Sequence, residues 1–311
     1  MKEVLILSGK GGTGKTSFTG AFADLAEKKI LVDCDVDASD LHLLLAPRPV
    51  QEHEFRSGVK ARVNRATCNG CGICADLCQF EAVELTEYAE ISQLSCEGCG
   101  VCAHFCPEQA IHLDENHCGT WYVAETDYGP LVHAQLFAGE ENSGKLVSRI
   151  KKEAQQLGES EGIDLILIDG APGVGCPVIA SLSNVDYAMV ITEPTQSGKH
   201  DLERILDLTE HFKVPAAVCI NKWDLHPDMS AEIGELCKER NIPLLGKVPF
   251  DPQVIDCQIQ GVPVTRSDTS LAAFSIRDVW QRLSETLDNL STNPPAGDGD
   301  GTAFHQGGFP G

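Results

Sequence analysis

The chain has 311 residues, of which 42% are hydrophobic, and its formal net charge is −22 at pH 7. A chain of this length and apolar content can bury a large core, with room for one large domain and a smaller module. The excess negative charge repels phosphate backbones and anionic lipid surfaces, so we expect no nucleic-acid partner and no membrane binding.

The first residues run from a short apolar stretch directly into a glycine loop. They lack the charged leader and long apolar segment of a targeting signal, and no uninterrupted apolar run approaches the roughly 20 residues that span a bilayer. We therefore expect a cytoplasmic protein. The 14 cysteines favour metal or redox chemistry over disulfides, because the chain is neither small nor visibly secreted.

Strands and helices are predicted to alternate along most of the chain. A strand at 3–8 is followed by an amphipathic helix at 16–28 and a second strand at 30–33. Apolar, strand-like runs resume at 163–168, 186–191, 216–220 and 243–248, with helices at about 199–212, 229–240 and 269–289. This order predicts an α/β fold with a doubly wound, mostly parallel sheet and a ligand at the carboxyl ends of its strands.

The first predicted strand leads into the sequence GKGGTGKT at 9–16, which fits the phosphate-binding pattern GxxxxGK[ST] and precedes a predicted helix. Glycines let successive backbone amides converge on phosphates, and the helix N-terminus adds its positive end. Lys15 is expected to reach the terminal phosphates, and the Thr16 hydroxyl to ligate Mg²⁺. The predicted nucleotide-binding residues of this loop are Gly9, Lys10, Gly11, Gly12, Thr13, Gly14, Lys15, Thr16 and Ser17.

Between residue 47 and about residue 116 the alternation fails, and short segments rich in cysteine and glycine replace it. The run CNGCGICADLC at 68–78 recurs as CEGCGVCAHFC at 96–106. The sequence after each run also matches, with FEAVEL at 80–85 and EQAIHL at 108–113. One duplicated unit therefore accounts for an inserted module.

The spacing C-x₂-C-x₂-C-x₃-C of both runs is that of bacterial two-cluster ferredoxins, in which the fourth cysteine of each run binds the other cluster. Structural zinc needs only four ligands in paired CxxC units, so zinc is disfavoured. Gln79 follows Cys78 where the ferredoxin pattern has proline, a departure that we expect to affect potential rather than assembly. The predicted ligands are Cys68, Cys71, Cys74 and Cys106 for one [4Fe–4S] cluster, and Cys78, Cys96, Cys99 and Cys102 for the other.

Further motifs lie at the ends of predicted strands. Asp33 and Asp35 lie in ILVDCDVD, and Asp169 lies in LILIDGAPG. Three later segments are TEPTQSGKHDLERIL at 192–206, NKWD at 221–224 and VPFDPQV at 248–254. Together with Lys10 in the glycine loop, these motifs resemble the MinD/ParA/Mrp superfamily of P-loop ATPases from residue 1 to about residue 290. With its two cysteine runs, the chain looks like a member that contains an inserted two-[4Fe–4S] ferredoxin domain.

The resemblance implies a role for each of these residues. Lys10 would reach the nucleotide of a partner subunit, Asp33 would support Mg²⁺, and Asp35 would orient the attacking water. Asp169 would be the second acidic strand end, beside the metal. The predicted catalytic residues are Lys10, Lys15, Asp35 and Asp169; the predicted Mg²⁺ site is Thr16, Asp33 and Asp169; and Asn221, Pro249 and Asp251 complete the nucleotide site. ATP is favoured, although NKxD also reads guanine in many GTPases.

These features divide the chain into four predicted segments. Residues 1–56 and 117–292 form the two parts of a P-loop ATPase domain, and residues 57–116 form the inserted ferredoxin domain. Residues 293–311 are rich in glycine and proline and have almost no aliphatic residues, which predicts a disordered tail.

The sequence therefore favours an ATP-hydrolysing iron–sulfur protein with ATP, Mg²⁺ and two [4Fe–4S] clusters as cofactors. Nucleotide-driven dimerisation, as a homodimer or as a heterodimer with a paralogue, would control electron transfer with a redox partner. A carrier or assembly ATPase for iron–sulfur or other metallocofactors is an alternative, with a metallocofactor protein as partner. A MinD/ParA-like spatial organiser is a third hypothesis, and an ATP-dependent amidase or ligase has no separate substrate motif to support it.

Cys176 follows Asp169 at a spacing similar to that of the switch cysteine in the nitrogenase iron protein. No second cysteine lies between Cys118 and Asp169, so we expect no cluster that bridges two subunits. A redox or metal contact of Cys176 linked to the switch segment is the alternative.

The segment 139–154, GEENSGKLVSRIKKEA, also resembles this subfamily of ATPases. Asn142 or Ser143 is expected to begin the helix that follows. No chemical role is assigned to Glu140, Glu141 or Lys145.

Overall fold

The fold is that of a computed structural model, which describes residues 1–292; the predicted tail at 293–311 lies outside the described residues. The strands of the described part are β1 (Lys2–Ser8), β2 (Lys29–Asp33), β3 (Arg48–Val63), β4 (Val83–Leu85), β5 (Ala89–Ile91), β6 (Ile111–Thr126), β7 (Gly129–Leu136), β8 (Leu165–Pro172), β9 (Tyr187–Thr192), β10 (Ala216–Asn221) and β11 (Leu244–Val248). Its α-helices are α1 (Lys15–Leu25), α2 (Leu41–Leu45), α3 (Ile73–Leu77), α4 (Val101–His104), α5 (Ser143–Glu161), α6 (Cys176–Leu182), α7 (Gln196–His211), α8 (Pro227–Glu239), α9 (Gln253–Ile259) and α10 (Leu271–Thr292).

Nine strands form one sheet, in the order β11-β10-β9-β1-β8-β2-β7-β6-β3. The strands from β11 to β7 pair in parallel, and β6 and β3 add an antiparallel edge. The prediction of an α/β fold with a mostly parallel sheet is confirmed. Within residues 1–292, no helix is both long and apolar enough to cross a membrane.

Helices cover both faces of this sheet. Because successive strand residues point to opposite faces, each central strand contributes side chains to two cores. In β1, Leu5 and Leu7 belong to the core that includes residues of α5 and α7, whereas Val4 and Ile6 belong to the core that includes residues of α1 and α10. All four side chains are fully buried. A strand buried on both faces has a continuous apolar sequence, which is why this strand could be predicted.

A two-stranded ribbon extends from the antiparallel edge. Its strands, β3 and β6, have 16 residues each and pair from Arg48 opposite Glu125 to Val63 opposite Ile111. The β7 strand pairs with β6 only along residues 119–126, so the half of the ribbon nearer Val63 continues beyond the sheet. The sequence patterns did not predict β3, because its polar sequence lacks the apolar run of a core strand.

The cysteine runs lie between the two ribbon strands, within residues 64–110. This segment contains α3, α4 and a separate two-stranded sheet of β4 and β5. Its small core joins Ala61 and Ile111 of the ribbon to Cys74 and Ala89. The predicted boundaries 56/57 and 116/117 fall within β3 and β6, and the division into domains stays a prediction.

Candidate nucleotide and cysteine sites

The glycine loop connects the end of β1 to the start of α1. Gly12 and Gly14 have positive φ angles of 80° and 94°, which glycine adopts without strain. A Cβ atom at Gly14 would lie 2.5 Å from the Nδ2 atom of Asn221, so a larger residue would displace that side chain. The first turn of α1 leaves backbone amides unpaired, and these suit an anion bound in the loop.

A cleft of about 370 Å³ opens beside this loop, a volume in the range of small-molecule sites. Every predicted nucleotide-binding residue except Gly9 lines the cleft. Gly9 instead faces α7, where an added Cβ atom would come within 2.3 Å of the Asp201 Cβ atom. The remaining lining residues are Ser8, Phe18, Asp35, Asp40, Pro172, Lys222, Val248, Phe250, Val254, Ile255, Gln258 and Ile276.

Lys15 lies in the centre of an acidic cluster at the cleft floor. Its Nζ atom is 2.9 Å from Oδ2 of Asp169 and 3.9 Å from Oδ2 of Asp35. Burial opposes its charge, but the surrounding carboxylates raise the pKa of Lys15 above its ordinary value. Thr16 and Thr19 donate hydrogen bonds to the two oxygens of Asp169, at 2.9 and 2.7 Å. The structure thus brings the predicted Thr16, Lys15, Asp35 and Asp169 together.

Asp33 holds the segment that follows β2. Its Oδ1 atom accepts from the Asp35 amide at 3.0 Å, and Oδ2 accepts from the Ser39 hydroxyl at 2.7 Å and the Leu41 amide at 3.2 Å. Burial and the neighbouring Asp169 carboxylate raise the pKa of Asp33 to about 7. Burial likewise raises the pKa of Asp35 to about 6. A divalent cation would favour the charged form of both carboxylates.

Lys10 also lines the cleft, but its ammonium group is held within its own chain. The Nζ atom lies 2.6 Å from Oε1 of Glu193 and donates to the Ser197 hydroxyl at 3.0 Å. The other carboxylate oxygen of Glu193 lies 3.5 Å from Nζ of Lys222, which donates to the Gly12 carbonyl at 3.1 Å. Glu193 therefore links two cations beside the phosphate loop.

The NKWD segment supports the loop more than it lines the cleft. Asn221 donates from Nδ2 to the Thr13 carbonyl at 2.8 Å, and its Oδ1 accepts from the Lys222 amide at 3.0 Å. Asp224, which is not among the lining residues, accepts from the Phe250 amide at 2.7 Å. The acidic residue of the motif is thus engaged with backbone and does not face the cleft.

The eight cysteines of the two runs lie in two groups around two small cavities. The fourth cysteine of each run is grouped with the first three of the other run, so neither run encloses a site by itself. All eight have free thiols. One cavity is lined by Cys68, Cys71, Cys74 and Cys106, and the other by Cys78, Cys96, Cys99 and Cys102.

The two cavities have matching local structure, as their repeated sequences do. The Ala82 amide donates to Sγ of Cys78 at 3.4 Å, and the Ala110 amide donates to Sγ of Cys106 at 3.3 Å. Each run also has two glycines with positive φ, Gly70 and Gly72 in the first and Gly98 and Gly100 in the second. In residues 1–292, no three metal-ligating side chains converge to hold a single metal ion.

The other cysteines lie outside these cavities. Cys34 and Cys219 are fully buried, and burial raises the pKa of both thiols. Burial also raises the pKa of Cys237 to about 11, so these thiols stay protonated and unreactive at neutral pH. Cys176 is exposed at the first residue of α6, in the segment that follows Asp169.

The sequence from residue 4 to residue 264 matches the family of CobQ/CobB/MinD/ParA nucleotide-binding domains. The chain belongs to this family. An uncharacterized protein of Methanocaldococcus jannaschii is 31% identical over 293 residues, which cover 92% of this chain and 97% of that protein. The likeness therefore extends over most of both chains.

Two further relatives are similar over different extents. The septum site-determining protein MinD of Pyrococcus horikoshii, solved with Mg-ADP, superposes with a TM-score of 0.56 at 16% identity, over 92% of this chain and 97% of that one. At this identity the likeness shows the fold. An iron-sulfur cluster carrier protein of Rickettsia typhi is 28% identical over 124 residues, only 39% of each protein.

Several residues of this MinD/ParA-type cleft were missed by the sequence patterns. Phe250, Ile255 and Gln258 form part of its wall, and Gln258 donates from Nε2 to the Ser17 hydroxyl at 2.8 Å. Phe250 stands inside the VPFDPQV motif, so that motif signalled its position. The α9 residues had no such signal, because their place in the cleft depends on packing between elements far apart in sequence.

Proposed function

We propose that this chain is an ATP-hydrolysing iron–sulfur protein that couples nucleotide-driven dimerisation to electron transfer with a redox partner. The observation that carries the proposal is the division of the eight cysteines into two groups of four. The ribbon that carries them is continuous with the sheet whose carboxyl edge forms the nucleotide cleft.

The residues around each cavity fit a [4Fe–4S] cluster. Four cysteines line each cavity, and their side chains do not converge on one point. The four separate iron corners of a cluster need this arrangement, whereas a single zinc ion needs its ligands to converge on one point. The Ala82 and Ala110 amides already donate to cysteine sulfur, and such bonds stabilise thiolates and tune the potential. When bound, the clusters would supply two one-electron carriers.

The floor of the cleft fits phosphate transfer. Lys15 would bind the β- and γ-phosphates, and Thr16 and Asp169 would hold Mg²⁺ directly or through water. Asp35 lies 3.9 Å from the Lys15 ammonium and lines the cleft, so it is placed to orient the attacking water. Asp33 would fix the segment that carries Asp35.

ATP is the preferred nucleotide in this proposal. A guanine-reading NKxD motif needs its aspartate free to accept from the base. Here Asp224 accepts from the Phe250 amide, and the Asn221 amide holds Thr13. The Pyrococcus horikoshii MinD structure was solved with Mg-ADP, which supports an adenine nucleotide in this proposal.

The experiment is anaerobic purification, followed by iron analysis and reduction kinetics with ATP, GTP, ADP or no nucleotide. We expect about eight iron atoms per chain, four for each cluster, and reduction that depends on ATP. The Cys99→Ser variant removes one ligand of the second cavity and should lose about half of the iron. The Cys176→Ser variant changes a thiol that is also exposed and should keep all of it. Zinc in place of iron, or equal reduction rates under all four conditions, would contradict the proposal.

A cluster-carrier function is the second candidate. It is favoured by the partial similarity to the Rickettsia typhi carrier protein, which spans only 39% of each chain. A carrier must release its cargo, so incubation with an apo-acceptor should transfer iron from the loaded protein. The cavities of this chain suit stable retention instead, because each is lined by four cysteines, enough to bind all four iron corners of a cluster.

A further inference from the structure

The loop 137–142, between β7 and α5, contacts both strands of the ribbon. Its Glu140 side chain places Oε1 3.0 Å from Nζ of Lys60 on β3, and Oε2 accepts from Nδ2 of Asn116 on β6 at 2.5 Å. The Glu140 and Lys60 side chains are only 18% and 12% exposed. A partly buried, charge-assisted pair with a second hydrogen bond fixes geometry more firmly than an exposed ion pair does.

Lys60 also contacts the cysteine module. Its Nζ atom donates to the Gln93 carbonyl at 2.6 Å, and the Gln93 amide donates from Nε2 to the Ala61 carbonyl at 2.9 Å. Gln93 lies three residues before Cys96, whose amide donates to the Ser92 carbonyl at 3.0 Å. The Lys60 ammonium therefore holds the segment that begins the second cysteine run.

The same loop continues towards the nucleotide side of the molecule. It leads into α5, where a Cβ atom at Gly144 would lie 3.4 Å from the Cys176 carbonyl oxygen. Cys176 begins α6, directly after the segment that follows Asp169. Asp169 in turn contacts Lys15 and Thr16 of the phosphate loop. Side-chain contacts and the backbone segments 169–176 and 140–144 thus connect the phosphate loop to the second cysteine run.

We propose that Glu140 is a positioning residue that transmits the nucleotide state to the segment 92–96 through Lys60. The inference rests on the proposed function, because it supplies the physical link between the two sites. A bound γ-phosphate that moves the segment after Asp169 would move Gly144 and the loop before it. The Glu140–Lys60 pair would carry that movement to Gln93, and with it to the backbone that presents Cys96.

The test compares two single substitutions of adjacent carboxylates in the cluster-loaded protein. Glu140→Gln keeps the size of the side chain but replaces one of its two acceptor oxygens with a donor. Glu141→Gln is the matched control, because Glu141 is exposed and has no side-chain hydrogen bond or ion pair to residues 1–292. The readout is hydrogen exchange of the peptide 91–99 with ATP, with ADP and without nucleotide. Nucleotide affinity and iron content are measured on the same samples.

We expect ATP to change the exchange rate of this peptide in the unsubstituted protein and in Glu141→Gln. Glu140→Gln should reduce that change by about fivefold or more, at the lower end of couplings between sites, while nucleotide affinity and iron content stay unchanged. Lys60→Gln removes the other member of the pair and should give the same loss, so a folding defect in one variant does not decide the outcome.

The outcomes separate the inference from the proposed function. An undiminished ATP response in both Glu140→Gln and Lys60→Gln overturns the role of Glu140 and leaves the proposed function standing. A peptide 91–99 that ignores ATP in the unsubstituted protein overturns the inference, and the reduction kinetics with and without ATP then decide the proposed function separately. Loss of the response in both variants and its retention in Glu141→Gln support the inference.

Discussion

Gly98 lies where the second cysteine run passes closest to the ribbon. Its φ angle is +64°, and an added Cβ atom would lie 1.9 Å from the Val59 carbonyl oxygen. Both the backbone conformation and the available space therefore require glycine. The contact places the second run directly against β3, one residue from Lys60.

Gly98→Ala should destabilise the protein more than an alanine substitution at a glycine where only the backbone conformation is unfavourable. Gly162 is the matched control, because its φ is +66° and no atom lies within 4 Å of an added Cβ. Gly162→Ala should cost about 1 kcal/mol from the left-handed conformation. Gly98→Ala should cost about 1–3 kcal/mol more, because backbone must move to admit the methyl group. Urea unfolding at a constant m-value measures both, and equal losses of stability would show that the contact with Val59 is absent.

At the scale of secondary structure, what could be predicted from the sequence depends on whether the signal is local. The glycine loop and the apolar strand β1 are both encoded in a short stretch of sequence. The cysteine spacing is equally local, and it grouped the eight thiols as the two cavities do. The β3 strand has no such signal, because it is polar and its stability comes from pairing with β6, whose partner residues are 48 to 77 positions away.

Pairings between distant residues were hidden for the same reason. Lys10 was predicted from its motif, but its partner Glu193 follows β9 and is far from Lys10 in the sequence. The Glu140–Lys60 pair likewise joins the loop 137–142 to β3, and these two elements become neighbours only once the ribbon has formed. Motifs thus identified residues that line the cleft and the two cysteine cavities, and the fold was needed to identify the residues that hold them in place.

The packing of β7 against its neighbours depends on an uncharged histidine. His133 is 9% exposed and stacks between His42 of α2 and Tyr122 of β6, with ring centroids 5.6 and 4.9 Å away. Its Nε2 atom has no hydrogen-bond partner among residues 1–292. Burial, with a smaller contribution from His42, lowers the pKa of His133 from 6.5 to about 4.

This pKa predicts a loss of stability in acid. Between pH 6.5 and about 4 the unfolded chain binds a proton at His133 that the folded chain does not bind. The contribution of His133 to the free energy of unfolding therefore falls as the pH is lowered. His133→Phe should remove about 2–3 kcal/mol of this fall. Urea unfolding at pH 7 and pH 4.5 measures it, with His53→Phe as the control because His53 stacks on Trp121 but stays partly exposed. An unchanged pH dependence in His133→Phe would assign the acid sensitivity to other groups.

At the scale of the whole molecule, the net charge of −22 opposes self-association. Two such chains repel each other at low ionic strength, and salt screens that repulsion. A nucleotide-bound dimer therefore needs cations at its contact face. Lys10 is the cation that the family resemblance assigns to this task, yet Glu193 holds it in the free chain.

Glu193 should therefore oppose dimerisation, because Lys10 must leave it before it can reach a nucleotide in another subunit. Glu193→Gln removes the competing carboxylate from both subunits. A pair of this exposure is worth about 1 kcal/mol in each subunit, so the dimer dissociation constant should fall about 30-fold. Sedimentation with a non-hydrolysable ATP analogue measures this constant. Lys10→Gln should abolish the dimer in either background. Glu210→Gln, an exposed carboxylate at the far end of α7, should leave the constant unchanged. A weaker dimer in Glu193→Gln would mean that this carboxylate helps to build the contact face instead of restraining Lys10.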